Sequence, residues 1–227
     1  MDFGILINYG DRFVDGALIT LKLVALSSLA GIVLAVVTAL ARVSKRRWLW
    51  LPAYGYIYFF RGTPLLIQLF IVYYGLGQFE ALRNSLAWSV LGSSQWCGWI
   101  AMTLNTGAYT AEILRGGIQG VPHGEIEAAR ACGMSYALMI RRVILPRAIR
   151  IAWPAYCNEV ILLLKGSALV STIAVWDLMG ETRSVFSRTY SLDVFIYAGI
   201  LYFLLTFILT RVFNASERRL NRYLMPS

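Results

Sequence analysis

The chain has 227 residues, 58% of them hydrophobic and only 15% charged, with a mean hydropathy of +0.62. Soluble domains carry roughly 25% charged residues, whereas here residues 23–41, 62–79, 84–111 and 194–210 contain no Asp, Glu, Lys or Arg. Runs of about 18 such residues mark bilayer-spanning helices, which excludes disorder, a secreted disulfide scaffold and a soluble enzyme core and leaves the formal charge of +9 to be explained by placement.

In chain order, Met1-Asp2-Phe3-Gly4 offers no basic leader, so the first apolar segment is expected to be a permanent span. The pattern predicts an all-α integral membrane protein with spans at about 17–41, 52–77, 90–114, 151–176 and 194–213, forming one transmembrane unit over 15–215. Gly, Ser, Thr and Pro are scattered through every span, which suits helices packed on one another rather than single anchors in lipid. Thr63-Pro64 in the second span predicts a kink relieved by neighbouring helices. A long polar loop, 119–147, separates the third and fourth spans.

The basic residues set the orientation. Four fall in the 42–51 loop, six in 115–150 and four in the C-terminal tail, a total of 14, against four (Arg12, Arg83, Arg183, Arg188) on the opposite side. The positive-inside rule then places the first group in the cytoplasm, the N-terminus outside and the C-terminus inside. The excess charge is accounted for by topology, with the lipid bilayer as its partner, and no nucleic acid is required. Cys97, Cys132 and Cys157 are far apart and read as small packing residues, and His123 alone builds no metal site.

The loop is the most informative stretch. Glu125 to Cys132 favours a helix, with Pro122 and Gly124 before it and Gly133 as its break. A second short helix at about 135–144 carries Met134, Ala137, Leu138 and Val143 towards an apolar surface, and Pro146 is expected to end it. Two such helices either lie on the bilayer interface or dock into a groove on a soluble partner.

Glu127-Ala128-Ala129, Gly133, Val143 and Leu145-Pro146 fall at the spacing of the E-A-A-x3-G-x9-I-x-L-P loop of ABC importer permeases, with Val143 where Ile is commoner. Phe60-Arg61-Gly62-Thr63-Pro64-Leu65-Leu66-Ile67-Gln68, Leu104-Asn105-Thr106-Gly107-Ala108-Tyr109-Thr110-Ala111-Glu112 and Pro154-Ala155-Tyr156-Cys157-Asn158-Glu159-Val160 are similar to segments of the polar amino-acid subfamily. Gly166, after Lys165, departs from its usual pattern. The chain thus resembles the permease subunit of polar amino-acid importers of the histidine, arginine and opine type. That resemblance implies a type I core of five helices in a bacterial inner membrane, importing basic amino acids or opines by alternating access. It implies two ATPase subunits, a second permease subunit (a paralogue rather than a second copy) and a periplasmic amino-acid-binding protein. Gly124, Glu125, Glu127, Ala128, Ala129, Arg130, Gly133, Leu145 and Pro146 would then couple the ATPase to the spans. The chain has no GxxxxGK[ST], and its three lysines are Lys22, Lys45 and Lys165. It is therefore expected to hold no cofactor, metal or catalytic residue of its own, with ATP and Mg used by the partner ATPase.

Ionisable groups inside spans are costly and are functional candidates by default. Asn105, Tyr109 and Glu112, at i, i+4 and i+7, share one helical face; Asn158 and Glu159 lie in the fourth span; Arg61 and Gln68, at i and i+7, are expected to share a face of the second. The functional reading lines a solute pathway with these seven residues. The plainer reading pairs Arg61 with Glu112 or Glu159 and leaves the rest as bundle glue. Two other functions compete with the importer: a secondary transporter driven by a proton through Glu112 or Glu159, and a membrane scaffold whose loop docks a partner without transport.

Overall fold

The computed structural model describes residues 3–220; Met1, Asp2 and Arg222, which enter the sequence reading, lie outside them. Among the described residues the secondary structure is helical, without strands. Helix α1 (Phe3–Val43) runs unbroken for 41 residues, about 60 Å at the helical rise and twice the thickness of a bilayer core. No proline interrupts it.

Helix α2 (Arg47–Gly62) ends at Thr63, whose backbone is extended at φ −116°, ψ 143°. Pro64 forces this, because its ring crowds the preceding residue out of the helical region. The chain resumes as α3 (Leu65–Phe70), a widened turn at Ile71–Gly75 and a tight turn at Leu76–Gln78. The two arms meet at 109°, so the kink expected at Thr63-Pro64 within the 52–77 span is a full break. Short helices α4 (Glu80–Arg83) and α5 (Trp88–Leu91) lead into α6 (Ser94–Gln119).

Helix α6 is the axis of the bundle, packed on α1, α2 and α9 (Leu145–Gly166). Its glycines allow that approach. A Cβ on Gly107 would lie 2.9 Å from the Tyr56 hydroxyl, and one on Gly117 would lie 2.7 Å from the Ala148 carbonyl oxygen. By length and hydropathy three helices qualify as spans, Gly4–Val43, Tyr136–Ile173 and Asp193–Leu220, with the broken pair as a fourth if it is counted once. Helix α6 falls outside that set because Asn, Thr and Gly dilute its hydropathy, a composition suited to burial among other helices rather than in lipid.

The loop contains α7 (His123–Ala131) and α8 (Tyr136–Met139). Pro146 does not end the second loop helix. A widened turn at Ile140–Ile144, closed by Leu145 N–H donating to the Ile140 carbonyl, carries α8 into α9. Pro146 sits in the first turn of α9, where a missing N–H costs least. The result is one 38-residue helix, Tyr136–Ile173, whose last turn, Ser167–Ile173, is of the tight type. Helix α10 (Leu178–Thr189) is capped by Asp177, which accepts from Gly180 N–H at 2.9 Å, and is tied back to α1 by Leu178 N–H, which donates to the Thr20 hydroxyl at 3.1 Å. Helix α11 (Asp193–Leu220) closes the bundle. Leu69, Met102, Leu164 and Ile173 are fully buried in the main core, and Phe13, Leu178, Val185 and Val194 in a second one beneath α10.

Candidate functional site

The break in the second span strands backbone carbonyls at the end of α2, and in a bilayer each needs a partner from the protein. Gln68 supplies it. Its buried side-chain amide donates to the Phe60 carbonyl at 2.9 Å, the Thr63 carbonyl at 3.0 Å and the Thr63 hydroxyl at 2.9 Å. Asn105 of α6 donates to the Gln68 amide oxygen at 3.0 Å and to the Phe60 carbonyl at 3.4 Å. Tyr56 adds a bond to the Leu104 carbonyl at 2.6 Å. Two of the three amides that the sequence nominates for the pathway, Gln68 and Asn105, are thus turned onto the chain, where they clamp the bend. Arg61 and Gln68 do not share a face, because the bend lies between them.

Arg61, Tyr109 and Glu112 do come together. The Arg61 guanidinium lies 5.4 Å over the Tyr109 ring, and the Tyr109 hydroxyl donates to the Arg61 carbonyl at 3.5 Å. Glu112 pairs one turn along its own helix with Arg115, which donates through Nε at 2.9 Å and through a second nitrogen. Together with Arg42, Tyr54, Ile57, Tyr58 and Gly62 these residues line a cleft of about 410 Å³. Glu159 is buried elsewhere, on the face of α9 beside Thr106 of α6. Its neighbour Asn158 is exposed. Arg42 is the residue that sequence reasoning missed. It reads as one more cytoplasmic positive charge, yet its guanidinium lies 5.0 Å from both the Trp50 and Tyr54 rings. The i, i+4, i+8 run of Trp50, Tyr54 and Tyr58 was the available signal.

The loop geometry explains its motif residue by residue. Gly133 has φ +73°, Met134 N–H bonds to the Ala129 carbonyl at 3.2 Å, and Gly133 N–H to the Arg130 carbonyl at 2.9 Å. This is a Schellman cap, which needs a left-handed residue at the glycine position. Ala129 is buried, whereas Gly124, Glu127, Ala128 and Arg130 are exposed, so one alanine seats the helix and the other faces outward. An ion pair from Glu125 to Arg147, at 3.3 Å, ties α7 to the start of α9 beside Leu145-Pro146. In the second loop helix Met139 is the buried anchor, while Ala137 and Leu138 are exposed.

A profile of the binding-protein-dependent transport system inner membrane component family matches residues 29–222. The chain belongs to that family. The permease is 50% identical over 203 residues to an octopine transport system permease of Rhizobium meliloti, covering 89% of this chain and 83% of that one. It is 43% identical to the histidine/lysine/arginine/ornithine permease of Escherichia coli K12, covering 96% and 92%. Among solved structures, an amino acid ABC transporter superposes with a TM-score of 0.87 at 37% identity, over 96% of this chain and 99% of that one. An inward-facing methionine ABC transporter, at 20% identity, has the same fold with a TM-score of 0.77.

Proposed function

We propose that the permease moves basic amino acids or opines across a bacterial inner membrane, paired with a second, paralogous permease subunit. Two ATPase subunits dock on the exposed face of α7, and a periplasmic binding protein delivers the solute. The reading takes α6 and the broken pair as spans, which makes five, with the N-terminus periplasmic and the C-terminus cytoplasmic. The relatives' names support the solute class, and the 14-to-4 distribution of basic residues supports the orientation.

One observation carries the mechanism. The loop helix is fastened by the Glu125 and Arg147 ion pair and the Gly133 cap to the root of an unbroken helix, Tyr136–Ile173. Glu159 rides on that helix about 21 Å from Leu145 at the helical rise. A displacement of α7 by ATPase closure is passed along a rod to a buried carboxylate, and hydrolysis returns it. Glu159, Arg61, Tyr109 and Glu112 line the pathway, with Asn158 beside it; Gln68 and Asn105 hold its wall in shape. ATP and Mg act in the partner.

The test is uptake of labelled L-arginine and octopine by proteoliposomes carrying the assembled complex with ATP at the ATPase face. Glu127→Lys is expected to abolish uptake while the ATPase subunits retain hydrolysis. Uptake that survives this change in a fully assembled complex refutes the coupling role. ATP-independent uptake driven by a proton gradient favours the secondary transporter.

A further inference from the structure

The cleft between α1, α2 and α6 gathers two guanidiniums and a carboxylate whose hydrogen-bonding capacity the chain does not fill. Arg42 stands at the cytoplasmic end of α1, and Arg61 lies on α2 seven residues beyond Tyr54, about 10 Å along the helix axis. Both contribute to the wall, and Glu112 contributes a carboxylate from α6. Arg115 holds one oxygen of that carboxylate; the other, Oε2, is buried without a hydrogen-bond partner. Nε of Arg42 is also buried without a hydrogen-bond partner; its guanidinium lies 5.0 Å from the Trp50 and Tyr54 rings and attracts the Glu112 carboxylate across the cleft. Buried polar atoms without partners are costly, and here one donor and one acceptor belong to residues lining the same cleft.

A second guanidinium, a buried acceptor and the rings of Tyr54, Tyr58 and Tyr109 complete the wall. Arginine is the side chain best shaped to take a carboxylate through paired N–H bonds, and an unpaired carboxylate oxygen takes an ammonium. We propose that this cleft is a subsite for the α-ammonium-carboxylate group of the transported solute, on the cytoplasmic half of its path, with Arg42 and Arg61 taking the carboxylate and Glu112 the ammonium. The tyrosine rings cover the apolar stem of the solute. Glu159 is not among the cleft's lining residues, but Arg61 of the cleft wall acts on it electrostatically, so the path has two adjoining stations and the solute is handed from the α9 carboxylate to the α2 and α6 wall on its way out. This inference rests on the importer reading and assigns a site within it.

The experiment measures equilibrium binding of labelled L-arginine, octopine and agmatine to the assembled complex in lipid nanodiscs, without the binding protein. Agmatine is arginine without its carboxylate. Arg42→Gln is expected to weaken arginine and octopine binding roughly 10- to 100-fold, the loss of one charge-assisted interaction, and to leave agmatine binding unchanged. Arg42→Lys, which keeps the charge without the planar stacking, restores part of the loss and separates charge from packing. Glu112→Gln weakens binding of all three. Equal binding by wild type and the Arg42→Gln complex, an equal loss for agmatine, or no saturable binding of arginine or octopine to wild type overturns the subsite. ATP-driven uptake is measured on the same wild-type complex. Its persistence beside any of these results leaves the importer reading intact, and its absence defeats that reading separately.

Discussion

Adjacent glycines near the end of α6 make opposite predictions. A Cβ on Gly117 would lie 2.7 Å from the Ala148 carbonyl oxygen and 2.9 Å from the Ala152 methyl, both on α9; a Cβ on Gly116 meets nothing within 4 Å. Gly116→Ala is therefore expected to stabilise the permease by the helix-propensity difference, up to about 1 kcal/mol. Gly117→Ala gains the same propensity term, but it drives a methyl into backbone that can yield only by moving α9. Overpacking of this kind costs about 1–3 kcal/mol. The propensity term cancels between neighbours on one helix, so the two variants should differ by about 1–3 kcal/mol, with Gly117→Ala the less stable. Thermal unfolding of the assembled complex in one detergent, followed by loss of monodisperse protein, reads this difference, and uptake is measured in parallel. The crossing links α6 to the rod that carries the loop, so Gly117→Ala should also lower uptake per ATP hydrolysed. Equal melting temperatures for the two variants, or a more stable Gly117→Ala, would refute the packing argument.

Three further outcomes follow from the same geometry. Gln68→Leu leaves the Thr63 carbonyl at the bend without its side-chain donor and Asn105→Leu leaves the Gln68 amide oxygen without one, a loss of about 1–3 kcal/mol apiece; the double variant should lose less than the sum by about 0.5 kcal/mol or more, at the lower end of the roughly 0.5–3 kcal/mol typical of coupled neighbours, in a double-mutant cycle of chemical unfolding. Gly133→Ala forces an L side chain into the left-handed region at φ +73°, so it should destabilise the loop by about 1 kcal/mol and reduce uptake, with Gly133→Asn milder than Ala; identical uptake by the glycine and alanine forms would count against the cap. Burial raises the Asp177 carboxyl to about 6. The folded state then binds that proton more tightly than the unfolded one, so stability from this group should fall by up to about 3 kcal/mol as pH rises from about 4 through 6. Asp177→Asn should flatten that slope in melting temperature against pH, and an unchanged slope would remove Asp177 as its source.

The loop was legible in the sequence because its constraints are local. A glycine six residues after Glu127 is required by a cap whose hydrogen bonds close within five residues, from Met134 N–H to the Ala129 carbonyl. The break in the second span was legible as a kink, since Pro64 dictates it, but its 109° angle was not, because that depends on which side chain rescues the freed carbonyls. Gln68 does so from five and eight residues away, and Asn105 from another helix. A polar residue in an apolar run announces a need for a partner without naming one. Asn105 therefore reads as a candidate solute ligand in the sequence, and in the structure its amino group is paired with Gln68. Pro146 misled for a related reason: the widened turn at Ile140–Ile144 absorbs the missing donor, and only the backbone shows it.

The two polar clusters differ in how far their atoms are satisfied within the chain. Around the bend, the Gln68 amide and the Asn105 amino group find partners within the chain, and the atoms close on themselves. In the cleft, the rings are ordered by stacking, yet the Glu112 Oε2 and Arg42 Nε atoms are left over. A closed network resists movement, because any displacement breaks bonds that the bilayer cannot replace. An open one gains bonds when something enters it. In the proposed mechanism the rod that joins the loop to Glu159 shifts against a clamped wall on α2 and α3, while the α1, α2 and α6 cleft keeps unspent hydrogen-bonding capacity for the proposed solute.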